Sequence, residues 1–278
     1  MRRVAWVAFL SCLLNFHCSR DYPLFEKPEG RFPLSVGNRW ELSRETRWEF
    51  FDGVPPGIEY PLVYRSTVYW EIVARDFLKG YGSYVLKNEW YEIGGERDFS
   101  LHWYTDSWKG DPGLYRIGYT WGGGVPPPKL PQGHRLKLGD YEFGFWEEIP
   151  YLSSVQCLAK EDIFVIIPPE VVLEWPLEVG MEWMAHRSPL STVRKKVVDR
   201  ETVVTGAGTF SCYRIEVIRE FGPLFLLDPL VSYEWFSDEG LVKRSTEMTG
   251  EWTDPYGNPS GTFVVTDVYL LESYCIRE

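Results

Sequence analysis

The chain has 278 residues, of which 17% are aromatic, and it carries a net charge of −11. Its 13 tryptophans exclude a disordered polypeptide, because disordered chains contain few large apolar side chains. The negative charge repels phosphate groups, which excludes nucleic acid as a partner and leaves a lipid anchor as the one expected contact with a membrane.

Residues 1–18 have the pattern of an export signal. Arg2 and Arg3 precede the apolar segment Val4–Phe16, which is shorter than the roughly 20 residues that cross a bilayer. Cys18 ends this segment, where a bacterial lipoprotein carries its acylated cysteine, although Asn15–His17 matches the usual lipobox poorly. Lipid attachment at Cys18 and simple release after cleavage both stay open. The sequence predicts an exported protein of the periplasm or cell surface, with residues 19–30 as a tether.

One motif occurs twice. The pattern P-L-x-V-G-x-x-W lies at 33–40 and returns at 176–183, 143 positions later. Proline favours an extended segment, glycine permits a turn with positive φ, and tryptophan begins the next strand as a large inward residue. Because a binding site has less reason to be repeated with its framing residues, we interpret the motif as structural rather than as a Trp-lined platform. The residues concerned are Pro33, Gly37, Trp40, Pro176, Gly180 and Trp183.

Two weaker similarities between the halves of the chain follow in the same order. The segment 111–116 corresponds to 238–243, which contains Gly240, and 80–86 corresponds loosely to 208–215. Three landmarks in one order indicate an internal duplication. The sequence therefore predicts two related β repeats, 31–167 and 168–278, and leaves open whether they form one body or two.

Short runs of β-branched and aromatic residues, separated by turn signals, predict mostly antiparallel all-β structure. Asp111–Gly113 is a predicted turn, because proline presets φ and glycine relieves it. In the second repeat, Gly206–Gly208 is a predicted break between strands and Asp254–Pro259 a predicted hairpin loop. The sheet is expected to be curved.

The repeated opening, the strand AGTFSCYRI at 207–215 and the segment WFSDEGLVK at 235–243 resemble a group of uncharacterised bacterial envelope proteins and lipoproteins. Those proteins share a PL-x-VG-x-x-W start, an AGTF-x-C strand and a GLVK hairpin. The resemblance covers the second repeat well and the first only at its opening. It implies export and antiparallel sheets curved like the half-barrels of the lipoprotein carriers LolA and LolB, and it brings no catalytic residue.

The sequence predicts no catalytic, cofactor-binding or metal-binding residue. His102, His134 and His186 lie in separate segments without the spacing of metal ligands, and no C-x-x-C pair is present. Phosphate-binding glycine loops are absent as well. Asp254 and Asn258 offer too few acidic oxygens for a calcium loop, which favours a plain turn.

Cysteine usage does not define a disulfide framework. With Cys12 in the signal and Cys18 set aside, Cys157, Cys212 and Cys275 remain. An odd number leaves at least one thiol unpaired. Buried free thiols are the simpler expectation, although one pair can bridge in an oxidising compartment.

Paired carboxylates are the remaining chemical signal. Glycoside hydrolysis uses two carboxyl groups roughly 5–10 Å apart beside aromatic sugar platforms. A chain with 40 acidic residues has such neighbours by chance, so they do not by themselves indicate an enzyme. The candidates near aromatic residues are Glu41, Glu89, Glu92, Glu147 and Glu148.

We therefore expect a non-catalytic envelope protein that binds an apolar or amphipathic ligand, or a protein partner, on a curved β surface. That hypothesis predicts inward aromatics around a sizeable apolar cavity. A carbohydrate-binding or glycoside-cleaving surface protein is the alternative, and it predicts a line of exposed Trp beside close carboxylates. A purely structural envelope component, with aromatics that only fill cores, also remains open.

Overall fold

The computed structural model describes residues 31–58, 60, 62–91, 97–120, 134–138, 141–143, 163–188, 191–221 and 229–277. The predicted signal segment with Cys18, the predicted tether at 19–30, Cys157, Glu92, Glu147 and Glu148 lie outside these residues. Within them every regular element is a β-strand, so the all-β prediction is confirmed. The described part contains no helix that is long and apolar enough to cross a membrane.

In the described part of the chain, fourteen strands make one sheet. In chain order they are β1 (Arg39–Phe51), β2 (Leu62–Leu78), β3 (Tyr81–Tyr91), β4 (Arg97–Trp108), β5 (Asp111–Thr120), β6 (Arg135–Leu138), β7 (Tyr141–Phe143), β8 (Ile163–Glu174), β9 (Glu182–Arg187), β10 (Ser191–Thr205), β11 (Gly208–Phe221), β12 (Leu230–Ser237), β13 (Gly240–Thr253) and β14 (Pro259–Cys275).

Twelve strands follow each other across the sheet in the order β8-β5-β4-β3-β2-β1-β14-β13-β12-β11-β10-β9, and β6 and β7 branch off β13. All pairings are antiparallel. We call β1–β5 with β8 the first unit and β9–β14 the second unit. The two units form one continuous sheet, because β1 pairs along its whole length with β14. The predicted boundary between residues 167 and 168 falls within β8, and a division of the chain there stays a prediction.

The sheet curls beyond a half-barrel until its edge strands, β8 and β9, lie side by side. Side chains cross this seam: Trp183 Nε1 donates to the Val171 carbonyl at 3.0 Å, and Lys195 Nζ donates to the Val172 carbonyl at 3.2 Å. Pro168 and Pro169 lie on β8, where they offer no N–H to a further strand. Such prolines protect an edge from unwanted pairing.

The core covers the inner face of the sheet. Trp40, Leu42, Ile72 and Ile215 are at most 2% exposed and belong to one large apolar cluster that both units share. At the far end of β1 and β14, Trp48 packs on Phe263 with ring centroids 5.4 Å apart. A smaller cluster of Val85, Trp103 and Ile117 lies on the opposite face of β3, β4 and β5.

Two of the three predicted turns lie where the sequence placed them. The chain turns at residues 206–207 between β10 and β11, and Asp254 accepts hydrogen bonds from the backbone of Tyr256 and Asn258 between β13 and β14. The third prediction was wrong by two residues. The turn before β5 is formed by Lys109 and Gly110, both with positive φ, so that Asp111–Gly113 already belongs to the strand. Pro112 suits a strand start because its missing N–H is not needed there.

Candidate functional site

The repeated motif forms the same loop twice. Gly37 N donates to the Ile72 carbonyl and Ile72 N to the Asn38 carbonyl, at 2.8 and 2.9 Å. Gly180 N donates to the Val197 carbonyl and Val197 N to the Met181 carbonyl, at the same two distances. The two glycines have φ of 93° and 94°, a conformation that glycine adopts without steric cost. The geometry of each loop therefore joins the motif to the second strand of its unit.

The motif tryptophans fasten these loops to distant strands. Trp40 is 2% exposed and donates from Nε1 to the Glu239 carbonyl at 2.5 Å. Glu239 precedes Gly240, whose φ is 113° and which has no room for a side chain because a Cβ would lie 3.0 Å from Trp40 Nε1. Trp183 is 7% exposed and reaches β8 across the seam. Pro33 and Pro176 precede the loops in both copies.

A second pair of tryptophans repeats as well, which the sequence reasoning missed. Trp103 on β4 donates from Nε1 to the Asp76 carboxylate at 2.8 Å, and Trp235 on β12 donates to the Glu201 carboxylate. Asp76 and Glu201 lie on the second strands of their units, as far apart in the chain as Ile72 and Val197. In both units the sequence has a Trp several residues before a turn that contains a glycine. This pattern is too common to identify an equivalent pair before the order of the strands is known.

Charged side chains occupy the middle of the inner face. In the second unit Glu234 accepts from Lys195 at 2.7 Å and from Arg244 at 2.8 Å. Burial raises the pKa of the Glu234 carboxyl, but the two cations outweigh it and lower that pKa to about 2. In the first unit Arg116 forms an ion pair with Glu170. Burial lowers the pKa of the Arg116 guanidinium, but the nearby Glu170 carboxylate more than compensates and raises it overall.

His102 lies beside these ion pairs, between two tyrosines. Its ring is 6.2 Å from that of Tyr104 and 6.3 Å from that of Tyr119, and its Nε2 is 2.9 Å from Ser100 Oγ. Burial, reinforced by the positive charge of Arg116, lowers the pKa of His102 to about 3. The imidazole is therefore neutral at physiological pH.

Of the other two histidines, His186 lies near the inner ion pairs: burial lowers the pKa of its imidazole, and the charges of Glu170 and Arg116 also act on it. His134 stacks on Trp252 at 5.8 Å, and His186 lies on β9. Among the described residues no three His, Cys, Asp or Glu side chains are grouped in a way that would hold a metal ion. The Asp254 carboxylate also accepts from the Asn258 amide at 2.9 Å, a bond that lowers its pKa.

The described cysteines are both free, but only one is buried. Cys212 is fully buried, and burial raises the pKa of its thiol to about 12, which makes it unreactive. Cys275 is exposed at the end of β14, so the expectation of a buried thiol was wrong for it. On β14 the last buried residue is Leu271, and the strand is exposed from Glu272 to Cys275.

A groove of about 510 Å³ lies over β14, β1, β2 and β3. Cross-strand register places the side chains of Arg39, Glu41, Tyr69 and Glu71 on one face there, opposite the face that carries the core residue Leu42. The groove also brings together Glu41 and Glu89, two of the carboxylates that the sequence singled out. The complete lining is Arg39, Trp40, Glu41, Tyr69, Trp70, Glu71, Lys87, Glu89, Ser273, Tyr274 and Cys275.

The lining of this groove mixes aromatic side chains with charged ones, and the charged ones pair with one another or with a neighbouring hydroxyl. Arg39 bonds Glu71 at 2.7 Å, Lys87 pairs with Glu89, and Ser273 Oγ donates to Glu41 at 3.2 Å. Tyr69 and Tyr274 are 38% and 40% exposed. The predicted line of exposed tryptophans is not found here, since Trp40 is buried and Trp70 is half-buried against the core. The arrangement can accept and donate hydrogen bonds and can stack on a flat ligand.

Comparisons with known proteins find similar structures but no similar sequence. No protein-family profile matches the sequence, and neither does any curated protein. Two solved structures align over most of it: a proposed exported protein with a YmcC-like fold from Bacteroides fragilis NCTC 9343, at 10% identity, and a proposed lipoprotein from Parabacteroides distasonis ATCC 8503, at 12% identity. The first alignment covers 89% of this chain and 99% of the other with a TM-score of 0.38, and the second covers 90% and 100% with a TM-score of 0.36.

A third structure, DynF from the dynemicin biosynthesis pathway of Micromonospora chersina, aligns at 8% identity with a TM-score of 0.19 over 90% of this chain and 87% of that one. All three TM-scores lie below 0.5. The likeness therefore supports no conclusion about the function of this chain, which has to be argued from its own residues.

Proposed function

We propose that the protein is an exported, non-catalytic component of the bacterial cell envelope that binds a polar ligand in the groove over β14, β1, β2 and β3. The observation that carries the proposal is the groove itself, whose volume of about 510 Å³ lies within the usual range for small-ligand sites. Export is supported by the charged and apolar pattern of residues 1–18.

An apolar ligand on the inner face is less well supported. The buried apolar side chains of the large cluster are each at most 7% exposed, which means that they pack on one another and present little free apolar surface. Apolar surface removed from water is what would hold a lipid chain, at about 25 cal/mol per Å². The middle of the inner face is charged, and its side chains already form ion pairs.

The groove lacks the arrangement expected of a hydrolase. A general acid is usually a carboxyl group whose pKa burial raises, and the Glu89 carboxylate instead pairs with the ammonium group of Lys87. Register sets Glu41 and Glu89 two strands apart with Tyr69 between them. An aromatic ring between two carboxylates favours a platform for a ligand over a bond-cleaving centre.

Native mass spectrometry of the full chain, purified from the membrane and soluble fractions of its own cells, tests this proposal. We expect a non-protein mass bound to the wild type and to Tyr256→Ala, a matched control because Tyr256 is 90% exposed elsewhere. Tyr69→Ala should lose that mass. Absence of any bound mass from the wild type, or its retention by Tyr69→Ala, would contradict ligand binding in the groove. The same spectra report whether Cys18 carries diacylglyceryl and acyl groups.

A further inference from the structure

The groove contains a row of three side chains on neighbouring strands. Glu41 on β1 is paired with Tyr69 on β2, which is paired with Glu89 on β3. Strands lie about 4.8 Å apart, so the two carboxylate-bearing residues are separated by about 10 Å of sheet with the tyrosine between them. Phe99, paired with Glu89 on β4 and 49% exposed, continues the row. Acidic and aromatic side chains therefore alternate along it.

The second unit shows what the fold alone requires at these positions. Its three corresponding strands, aligned by the motif loops and their hydrogen bonds, carry Met184, Arg194 and Ile218 in the same row. The fold therefore accepts apolar or basic side chains where the first unit has Glu41, Tyr69 and Glu89. The two carboxylates and the tyrosine are not needed to build a six-strand unit of this kind.

The burial of the Glu89 carboxylate also lowers the stability of the fold. Glu89 is 5% exposed, and the removal of a carboxylate from water destabilises a protein unless partners compensate. Lys87 supplies one partner and lies 5.2 Å from the Phe99 ring. The equivalent residue, Ile218, avoids that cost. A buried carboxylate at a position where the second unit has an apolar residue is a departure from the local optimum, and such departures are expected at functional positions.

The charges of the groove indicate the kind of ligand. Arg39 and Lys87 are balanced by Glu71 and Glu89, and Glu41 alone adds a negative charge. A groove with nearly balanced charges does not attract anions and attracts cations only weakly. Carboxylate oxygens accept hydrogen bonds from hydroxyl groups, Arg39 donates to them, and the exposed Tyr69 ring can stack on an apolar ligand face.

We propose that the Glu41–Tyr69–Glu89 row is the binding centre of the groove and that its ligand is a neutral carbohydrate. Hydroxyl groups at the two ends of a sugar reach the two carboxylates, while its C–H face lies on Tyr69. This inference rests on the proposed function, of which it names the ligand class.

Isothermal titration of the full mature chain with maltotetraose, cellotetraose and chitotetraose tests it, with spermidine as a cationic probe. We expect at least one tetrasaccharide to bind with a Kd of about 1 mM or below. Tyr69→Ala should weaken that binding at least about tenfold, and Glu41→Gln, which keeps the size of the side chain, should weaken it by several-fold. Met184→Ala, in the equivalent row of the second unit, should leave it unchanged.

Failure to bind all three tetrasaccharides, equal binding by Tyr69→Ala, or a preference for spermidine would overturn the carbohydrate assignment. Circular dichroism of each variant shows whether a loss reflects unfolding, and Glu41→Gln serves if Tyr69→Ala does not fold. The two proposals fail differently. A bound mass that depends on Tyr69 in native spectra, together with no response to sugars, would keep the groove as a ligand site and reject only its ligand class.

Discussion

The two units of the barrel share a backbone plan but differ in the chemistry that they mount on it. Both use the glycine loop, a buried motif tryptophan and a second tryptophan bonded to an acid on the second strand. On the outer face, however, the row Arg39–Glu71–Lys87 of the first unit corresponds to Glu182–Lys196–Glu216 of the second. All three charges are reversed while the cross-strand pairing is kept.

This reversal shows which property of the row the fold depends on. Opposite charges on neighbouring strands each contribute roughly 0.2–1 kcal/mol, and like charges directly opposite are destabilising. The sign of any one residue does not matter for that contribution, only its complement. Complementarity along the row is therefore a constraint of the sheet, whereas the identity of Glu41, Tyr69 and Glu89 is not.

The largest expected loss of stability concerns the motif tryptophans, which both units share. Trp40→Ala and Trp183→Ala should each cost about 3–5 kcal/mol of unfolding free energy, because both remove a buried indole together with a hydrogen bond to a backbone carbonyl. Urea unfolding of the two variants measures this cost. If one substitution costs less than about 1 kcal/mol, the two loops do not have equivalent roles in stability.

The two units carry different titratable groups at the middle of the inner face, and the pH dependence of the unfolding free energy distinguishes them. His102 on β4 and Glu234 on β12 precede the paired tryptophans, Trp103 and Trp235, and so occupy corresponding positions. The pKa of His102 is lowered from 6.5 to about 3, and that of Glu234 from 4.5 to about 2. In both cases the unfolded chain binds a proton at a higher pH than the folded one, so acidification removes stability.

The two groups act in different pH windows. His102 costs stability as the pH falls from about 6.5 toward 3, and Glu234 as it falls from about 4.5 toward 2, each with a slope of up to about 1.4 kcal/mol per pH unit. His102→Gln should flatten the dependence of unfolding free energy on pH between about 6.5 and 4.5. Glu234→Gln should leave the slope in that range unchanged, even though it lowers stability overall. Urea unfolding across this range checks both, and an unchanged slope in His102→Gln would mean that the imidazole is not shielded.

Much of the architecture was predictable from the sequence because it depends on local signals. The duplicated P-L-x-V-G-x-x-W loops were found from their residues, since a positive φ and a strand start require glycine and favour a large apolar side chain. The all-β class followed from short aromatic and β-branched runs. The turn at Lys109–Gly110 was missed because lysine at positive φ leaves no sequence signal, whereas Pro112 and Gly113 gave a stronger one two residues away.

The groove was not predictable, for a physical reason. Glu41, Tyr69 and Glu89 meet only because of the register of three strands, and register depends on the whole hydrophobic pattern and on bulges such as the one between Ile72 and Ala74. The sequence picked out Glu41 and Glu89 as acids near aromatics without a means to measure their separation. The Lys195–Glu234–Arg244 cluster was missed because its members come from three strands.

The smallest effect tests the two loops at their glycines. Both have φ near 93°, a conformation that costs a residue with a Cβ roughly 1–2 kcal/mol. At Gly180 an added Cβ meets nothing within 4 Å, whereas at Gly37 it would lie 2.8 Å from the Arg277 guanidinium. Gly180→Ala should therefore lower the unfolding free energy by about 1 kcal/mol, from backbone strain alone. Gly37→Ala should lower the unfolding free energy further, because the Arg277 guanidinium must also be displaced.

A double variant, Gly37→Ala with Arg277→Ala, separates strain from displacement. The Arg277 backbone N–H, which donates to Asn38 Oδ1 at 2.7 Å, is kept in that variant. Relative to Arg277→Ala alone, the glycine substitution should then cost about as much as Gly180→Ala does in the wild type, within about 0.5 kcal/mol. A persistent difference between the two loops would mean that Arg277, which contacts the first of them, stabilises that loop through its backbone as well. The two motif loops would then share one backbone conformation but be stabilised by different contacts.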